Sequence, residues 1–305
     1  MPKQRLDILL VEKGFSSSRQ QAQRLIQAGE VLVNDTLVDK AGTSVDVAAA
    51  IRVKQKSRFV SRGGEKLTKA LDNFDIPLVG RVCLDGGIST GGFTDCLLQA
   101  GAKLVYGIDV GYGQLDWRLR NDPRVIVRER TNLRHLTPED LYGGKRRGRQ
   151  GEGERGRWGD GEKETSLPPL SETGEVYQRE FPDLAVVDVS FISLTKVLPA
   201  LWRLLQPPRE ALLLVKPQFE VGKNLVGKKG VVRNPNDQAN AIFQVLQTAI
   251  ELGWYYKGLT WSPITGPAGN IEYLLWLGCA SENLSFDLAA IKQITSEAAI
   301  DLKQN

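Results

Sequence analysis

The sequence predicts an α/β fold, a largely parallel sheet covered on both faces, preceded by a small α+β module. Three observations carry this reading. Short continuous apolar runs at Arg81-Val82-Cys83-Leu84, Lys103 to Ile108, Leu184 to Val187 and Ala211 to Val215 recur with helical patterns between them. A glycine-rich turn, Asp85-Gly86-Gly87-Ile88-Ser89-Thr90-Gly91-Gly92-Phe93-Thr94, follows the first run. Before residue 59 the pattern is different: two short amphipathic helices, then short strands.

The N-terminal module comes first. Arg5 to Val11 opens a short helix that Gly14 ends. Ser17-Ser18 caps a second helix, in which Ala22, Leu25 and Ile26 face inward while Arg19, Gln20, Gln23 and Arg24 stay outside. Gly29 stops it, and Val31 to Val33, Leu37-Val38 and Ile51 to Val53 read as strands. Residues 1–66 hold twelve Lys/Arg against seven Asp/Glu, a bias that points to a polyanionic partner at this end. The linker Lys54 to Arg58 is short and basic, so the two parts should be held close. Phe59 to Leu67 then opens a helix reaching about Asn73, with Lys66 in its first turn. The helix dipole disfavours a cation there, which hints at function.

The glycine turn sits between a strand and a helix, Asp95 to Ala100, that stops at Gly101. It lacks the Lys and Ser/Thr of a nucleoside-triphosphate loop, since Gly92 and Phe93 occupy those places. It also departs from the Gly-x-Gly-x-x-Gly pyrophosphate cradle. The strand that follows ends in Asp109, at the separation where nucleotide folds place an acid on ribose hydroxyls. A ligand with ribose but without pyrophosphate is favoured, and S-adenosylmethionine fits.

Beyond the turn, Val125 to Val127 is a third strand, and helices are predicted near Leu115 to Leu119 and Leu194 to Leu204. Pro235 opens a long helix to about Leu252, closed by Gly253, and Ile271 to Leu277 reads as the last strand. Residues 143–180 lose all apolar periodicity and read as a mobile insertion, whose basic cluster Lys145 to Arg149 is read as solvated. Asp188 and Lys216 end their strands and Glu272 begins the last, which places all three at one crevice if that strand runs antiparallel.

Composition narrows the function classes. The chain of 305 residues is 41% hydrophobic and 25% charged with a net charge of +4, ordinary for a globular protein. No apolar run reaches membrane-spanning length and the N-terminus lacks a signal-peptide pattern, so a cytoplasmic location without membrane partners is expected. Cys83, Cys96 and Cys279 lack metal-ligand spacing and the only histidine is His135, so buried thiols and no metal are expected.

Two sets of motifs carry a family resemblance. Arg5-Leu6-Asp7, Ser18-Arg19-Gln20-Gln21-Ala22 and Gly29-x-Val31-x-Val33-Asn34 resemble an RNA-binding domain shared by a small-subunit ribosomal protein, pseudouridine synthases and some RNA methyltransferases. Val60 to Leu67, Asp85 to Thr94, Asp109 to Leu115, Glu129 to Asn132, Asp188 to Leu194, Leu214 to Glu220 and Gly266 to Glu272 resemble the TlyA family. These are ribosomal-RNA ribose 2′-O-methyltransferases with an FtsJ/RrmJ-like catalytic domain, also known as hemolysins. The match spans nearly the whole chain; Gly87, Ile88 and the 143–180 insertion depart from it. The resemblance implies a Rossmann-like class I methyltransferase sheet at 59–305 behind an RNA-binding domain at 1–58, with ribosomal RNA or ribosomal subunits as partner and cytidine as target. It places Lys66, Asp188, Lys216 and Glu272 in the family's catalytic tetrad. The cofactor set becomes Asp85, Gly86, Gly87, Ser89, Thr90, Gly91, Gly92, Phe93, Asp109, Glu129, Asn132 and Asp188. Arg5, Arg19, Arg24, Arg58 and Arg62 form the RNA-facing set.

The chemistry accounts for such a tetrad. A ribose 2′-hydroxyl is a weak nucleophile, so it must be aligned with the methyl donor and lose a proton. Lys216 is the candidate base, a role that needs a lysine titrating at roughly 7–8. Nearby Lys66 favours that role, whereas Asp188 and Glu272 oppose it. The alternative is a charged Lys216 that stabilises the developing alkoxide. Three other functions stand beside this one: a non-catalytic ribosome-assembly factor, a membrane-active hemolysin and a pseudouridine synthase. The intact tetrad, the missing spanning segment and the cofactor loop argue against them in turn.

Overall fold

The computed structural model describes residues 2–53, 58–142, 180–279 and 287–304. Linker residues 54–57 and positions 143–179 of the insertion lie outside them. The chain divides into two compact units, 1–58 and 59–305.

In the first unit β1 (Lys3–Arg5), α1 (Leu6–Glu12), α2 (Arg19–Gln27), β2 (Val31–Val33), β3 (Thr36–Leu37), β4 (Ser44–Asp46) and β5 (Ile51–Val53) follow in order. Ser18 caps α2 by accepting the Gln21 N–H. The buried stripe Ala22 and Ile26 closes on Leu6, Leu9 and Leu10 of α1 and on Val31 and Val33 of β2. β2 is the centre of an antiparallel β3-β2-β5 sheet. The sequence reading missed the β1–β4 ribbon, because three-residue strands with one inward side chain carry no apolar run.

The second unit runs α3 (Gly63–Phe74), β6 (Val82–Gly86), α4 (Gly92–Gln99), β7 (Leu104–Ile108), α5 (Trp117–Arg120), β8 (Val125–Arg128), α6 (Pro138–Tyr142), β9 (Leu184–Val187), α7 (Leu198–Leu204), β10 (Glu210–Val215), α8 (Pro217–Glu220), α9 (Pro235–Glu251), β11 (Tyr255–Trp261), β12 (Tyr273–Gly278) and α10 (Leu288–Gln304). One seven-stranded sheet has the order β11-β12-β10-β9-β6-β7-β8. β12 alone runs against its neighbours, pairing antiparallel with both β10 and β11. The start of β12 therefore lies at the same sheet edge as the ends of β9 and β10, which is what gathering Glu272 with Asp188 and Lys216 requires.

Alternate residues of the central strands feed two cores. Leu84, Val187 and Leu213 pack under α7 and α9, with Ile291 and Ala298 of α10 completing that layer. Cys83, Val186 and Leu212 pack under Leu67 and Ala70 of α3 and Leu97 of α4. Truncating a fully buried leucine such as Leu67 to alanine costs about 2–5 kcal/mol at such a site.

Two expectations are corrected and one strand is added. β11 precedes the expected last strand, and the Lys257-Gly258 break and exposed Tyr255 of β11 hide its pattern. The helix expected from Leu194 splits into a 3₁₀ turn, Leu194–Lys196, and α7, with Pro199 in the first turn of α7. Cys83 and Cys96 are buried but Cys279 is only partly so. Among the described residues no helix is long and apolar enough to cross a membrane.

Candidate active site

The chain leaves β6 toward β7 and β8 on one side and returns to β9 and β10 on the other, so the strand order reverses between β6 and β9. Open α/β sheets bind ligands at that switch point, outside the strand carboxyl ends. A cavity of about 340 Å³ opens there, bordered by the glycine loop, the ends of β9 and β10, the start of α3 and the loop before β12.

Two glycines let the loop lie flat against its neighbours. Gly87 has φ +90°, and a Cβ on it would fall 2.5 Å from the Asp188 carbonyl oxygen. A Cβ on Gly92 would come within 2.2 Å of Ser61 Oγ and 3.0 Å of Gly64 N, which is why α3 and α4 approach so closely here. Asp109 fastens the loop from the far side: Ser89 N donates to Oδ2 at 2.8 Å and Gly111 N to Oδ1 at 2.6 Å.

Lys66, Asp188, Lys216 and Glu272 all line the cavity, and they resolve into two ion pairs. Lys66 Nζ, on the buried face of α3, donates to Glu272 Oε2 at 2.5 Å across 206 residues of sequence. Lys216 Nζ lies 2.6 Å from Asp188 Oδ1 and donates to Ser190 Oγ at 2.8 Å. The Lys66–Glu272 pair is buried, so removing one partner leaves a charge uncompensated and costs about 3–5 kcal/mol, whereas partly exposed Asp188 makes the second pair less costly to break.

Glu220 and Ser190 were not singled out from the sequence. Glu220 is buried at the end of α8, where Ser193 Oγ donates to Oε2 at 2.6 Å and Leu194 N to Oε1 at 2.9 Å. Burial raises its pKa and these two bonds oppose the rise. The segments 188–194 and 216–220 are thus joined at both ends, by Lys216 to Asp188 and Ser190 and by Glu220 to Ser193 and Leu194. Phe191 stands between those anchors, 92% exposed with φ +64°, its ring 5.2 Å from that of Phe219. Both new residues lie inside motifs that carried the resemblance, but only the contact across two strands shows what they hold.

Of the expected cofactor residues, Gly87, Ser89, Thr90, Gly92, Phe93 and Asp188 line the cavity. Asp85, Gly86 and Gly91 do not. Asp85 is fully buried at the end of β6 beneath the loop, where Thr94 Oγ1 donates to Oδ2 at 2.7 Å and Oδ1 has no protein partner. Burial first, and then the like charges of Asp188 and Asp109, push this carboxyl up to about 7 against the Thr94 bonds. Asp85 thus lies under the loop and does not border the cavity. Asp109, Glu129 and Asn132 also stand off this cavity. Glu129 takes two bonds from Arg120, at 2.6 and 3.2 Å, and the Gly113 N–H at 2.8 Å; the Arg120 bonds lead in lowering its pKa. Asn132 caps the turn Leu133–His135.

Of the residues expected to face RNA, Arg62 lines the cavity. In the first unit, Asp7 is fully buried and collects Arg5 through Nε and Nη2 at 3.1 and 3.0 Å, Arg19 through Nε at 2.8 Å and Gln23 at 2.9 Å. The Arg5 bonds lead in holding its carboxyl well below the usual range. The two arginine side chains remain about half exposed, 47% and 54%, and each guanidinium has further N–H groups beyond those spent on Asp7. Arg24 and Arg58 are exposed.

Residues 59–279 match the model of the FtsJ-like methyltransferases. The chain belongs to the FtsJ-like methyltransferase family. This methyltransferase also carries an S4 domain at residues 4–51. It is 42% identical to YqxC of Bacillus subtilis over 306 residues, covering 99% of this chain and 96% of the relative. It is 45% identical over 275 residues to the 16S/23S rRNA (cytidine-2'-O)-methyltransferase TlyA of Mycobacterium tuberculosis, covering 90% and 89%. A solved hemolysin-designated structure from Streptococcus thermophilus superposes with a TM-score of 0.68 at 37% identity, covering 100% of the methyltransferase and 98% of that chain.

Proposed function

We propose that this methyltransferase transfers a methyl group from S-adenosylmethionine to a ribose 2′-oxygen of ribosomal RNA, with cytidine as the target nucleoside. The observation that carries the reading is Lys216, held by Asp188 and Ser190 at the end of β10 inside the cavity that the glycine loop borders. The relatives that bear rRNA methyltransferase names and the S4 domain support the choice of RNA.

The residues present suit the cofactor. Asp109, partly exposed at the outer side of the loop, would take ribose hydroxyls, and Glu129 and Asn132 would border the base. The loop backbone from Gly87 to Phe93 would hold the amino-acid tail, with Asp188 facing its cationic end. When bound, S-adenosylmethionine supplies a methyl group on a sulfonium, which an aligned oxygen takes by in-line displacement. Lys216 spends two of its three N–H groups on Asp188 and Ser190, leaving the third for the oxygen that develops alkoxide charge while the hydroxyl proton passes to solvent water. Asp188 and Ser190 fix where that N–H points, and the Lys66–Glu272 pair holds α3 to the loop before β12 on the other side of the cavity.

The test is transfer of labelled methyl groups to purified small and large ribosomal subunits, followed by mapping of 2′-O-methyl sites. Lys216→Ala is expected to abolish transfer while calorimetric binding of S-adenosylmethionine persists. Undiminished transfer by that variant removes Lys216 from the mechanism. Absence of transfer by the wild type to either subunit overturns the reading.

A further inference from the structure

The segment between α8 and α9, residues 221–234, carries Lys223, Lys228, Lys229 and Arg233 and no acidic residue. All four side chains are exposed, and none forms an ion pair with a described residue. Near β8, by comparison, Arg118, Arg120 and Arg124 are neutralised by Asp116, Glu129 and Asp122 at 3.1, 2.6 and 2.7 Å.

This cationic segment is neither loose nor remote. It begins directly after Glu220, four residues beyond Lys216. Its other end is pinned to the residue two before Glu272: Asn270, 2% exposed, donates to the Gly230 carbonyl at 2.8 Å and accepts the Val232 N–H at 2.9 Å. Gln238 donates to the Val232 carbonyl at 2.7 Å and accepts the Tyr273 hydroxyl at 2.6 Å. Buried Val232 seats the same stretch. Four unneutralised cations thus sit on a segment whose backbone is anchored at Gly230 and Val232. An anchored backbone loses less freedom on meeting a partner, and a row of such cations fits a phosphate backbone.

We propose that residues 221–234 form a second RNA contact surface, on the catalytic unit itself, where the backbone of the strand carrying the target ribose is held by Lys223, Lys228, Lys229 and Arg233. This rests on the RNA methyltransferase reading and extends it from the S4 domain to the mouth of the active site. The contacts are made to phosphates, so they position the strand without reading its bases.

The experiment measures binding of full-length protein to a fluorescent oligocytidylate and to purified ribosomal subunits over a range of KCl. Each lost phosphate contact lowers the slope of log K against log salt by roughly 0.7–0.9. K223A/K228A/K229A is therefore expected to bind at least about tenfold more weakly at low salt, with a slope lower by about 2. Its affinity for S-adenosylmethionine and its melting temperature should match the wild type, and the charge-preserving K223R/K228R/K229R should bind as the wild type does. Unchanged affinity and slope in the alanine variant, with methyl transfer intact, overturn the surface and leave the methyltransferase reading standing. A loss shared equally by cofactor affinity and thermal stability also overturns it, since the lysines would then be structural. Failure of the wild type itself to methylate RNA is the separate result that removes the underlying reading.

Discussion

Asp85 offers the sharpest test, because replacing it by asparagine keeps its shape and removes only its charge. Its carboxyl is wholly buried and is pushed from 3.8 up to about 7, chiefly by that burial. A raised native pKa means that the folded state holds the proton more tightly than the unfolded chain. The stabilisation from Asp85 is therefore complete below pH 3.8 and is lost as the pH climbs through about 7. A shift of that size corresponds to about 4 kcal/mol between the two limits. The asparagine side chain would keep an oxygen for Thr94 but place an unpartnered amide where Oδ1 now lies, costing about 1–3 kcal/mol at every pH. Asp85→Asn is thus expected to gain stability relative to the wild type by about 3 kcal/mol between roughly pH 4.5 and roughly pH 8. Urea unfolding at a series of pH values, followed by tryptophan fluorescence, measures the difference directly. All six tryptophans lie in residues 59–305, so the signal reports on the unit that contains Asp85. A stability difference between variant and wild type that stays constant across this range would refute the argument.

Two further outcomes follow from buried acids. Glu220→Ala releases Ser193 and Leu194, and methyl transfer at saturating substrates should fall about 10- to 100-fold while cofactor affinity holds, with Glu220→Gln partly restoring it through one retained bond. Equal activity in all three proteins, measured with labelled methyl donor, excludes this positioning role. Asp7→Asn weakens the shared anchor of Arg5 and Arg19, so RNA affinity should drop several-fold in a filter-binding assay. Because the Asp7 pKa is depressed, its stabilisation is present above pH 3.8 and is lost as pH falls through the native value; the variant should lack that acid-side loss.

Much of this site was legible in the sequence because its parts are local. β6, β7, β9 and β10 are continuous apolar runs, as strands buried on both faces must be, and the residues at their ends follow directly. β11 was hidden because its inward residues Gly258 and Thr260 are not apolar, and α10 because it fully buries only Ile291, Thr295 and Ala298. The motifs also named Glu129 and Asn132 without revealing that one is occupied by Arg120 and the other caps a turn.

By itself the sequence determined which residues supply charge and glycine to the switch point, since strand periodicity and turn chemistry are written over a few neighbouring positions. Only the tertiary structure decided the partners: Lys66 with Glu272, Lys216 with Asp188 and Ser190, Glu220 with Ser193 and Leu194, and Asp85 beneath the loop. Those pairings depend on strand order and on one antiparallel strand entering a parallel sheet, and the physical reason they escape a sequence is that burial and contact are set by what the rest of the chain places alongside.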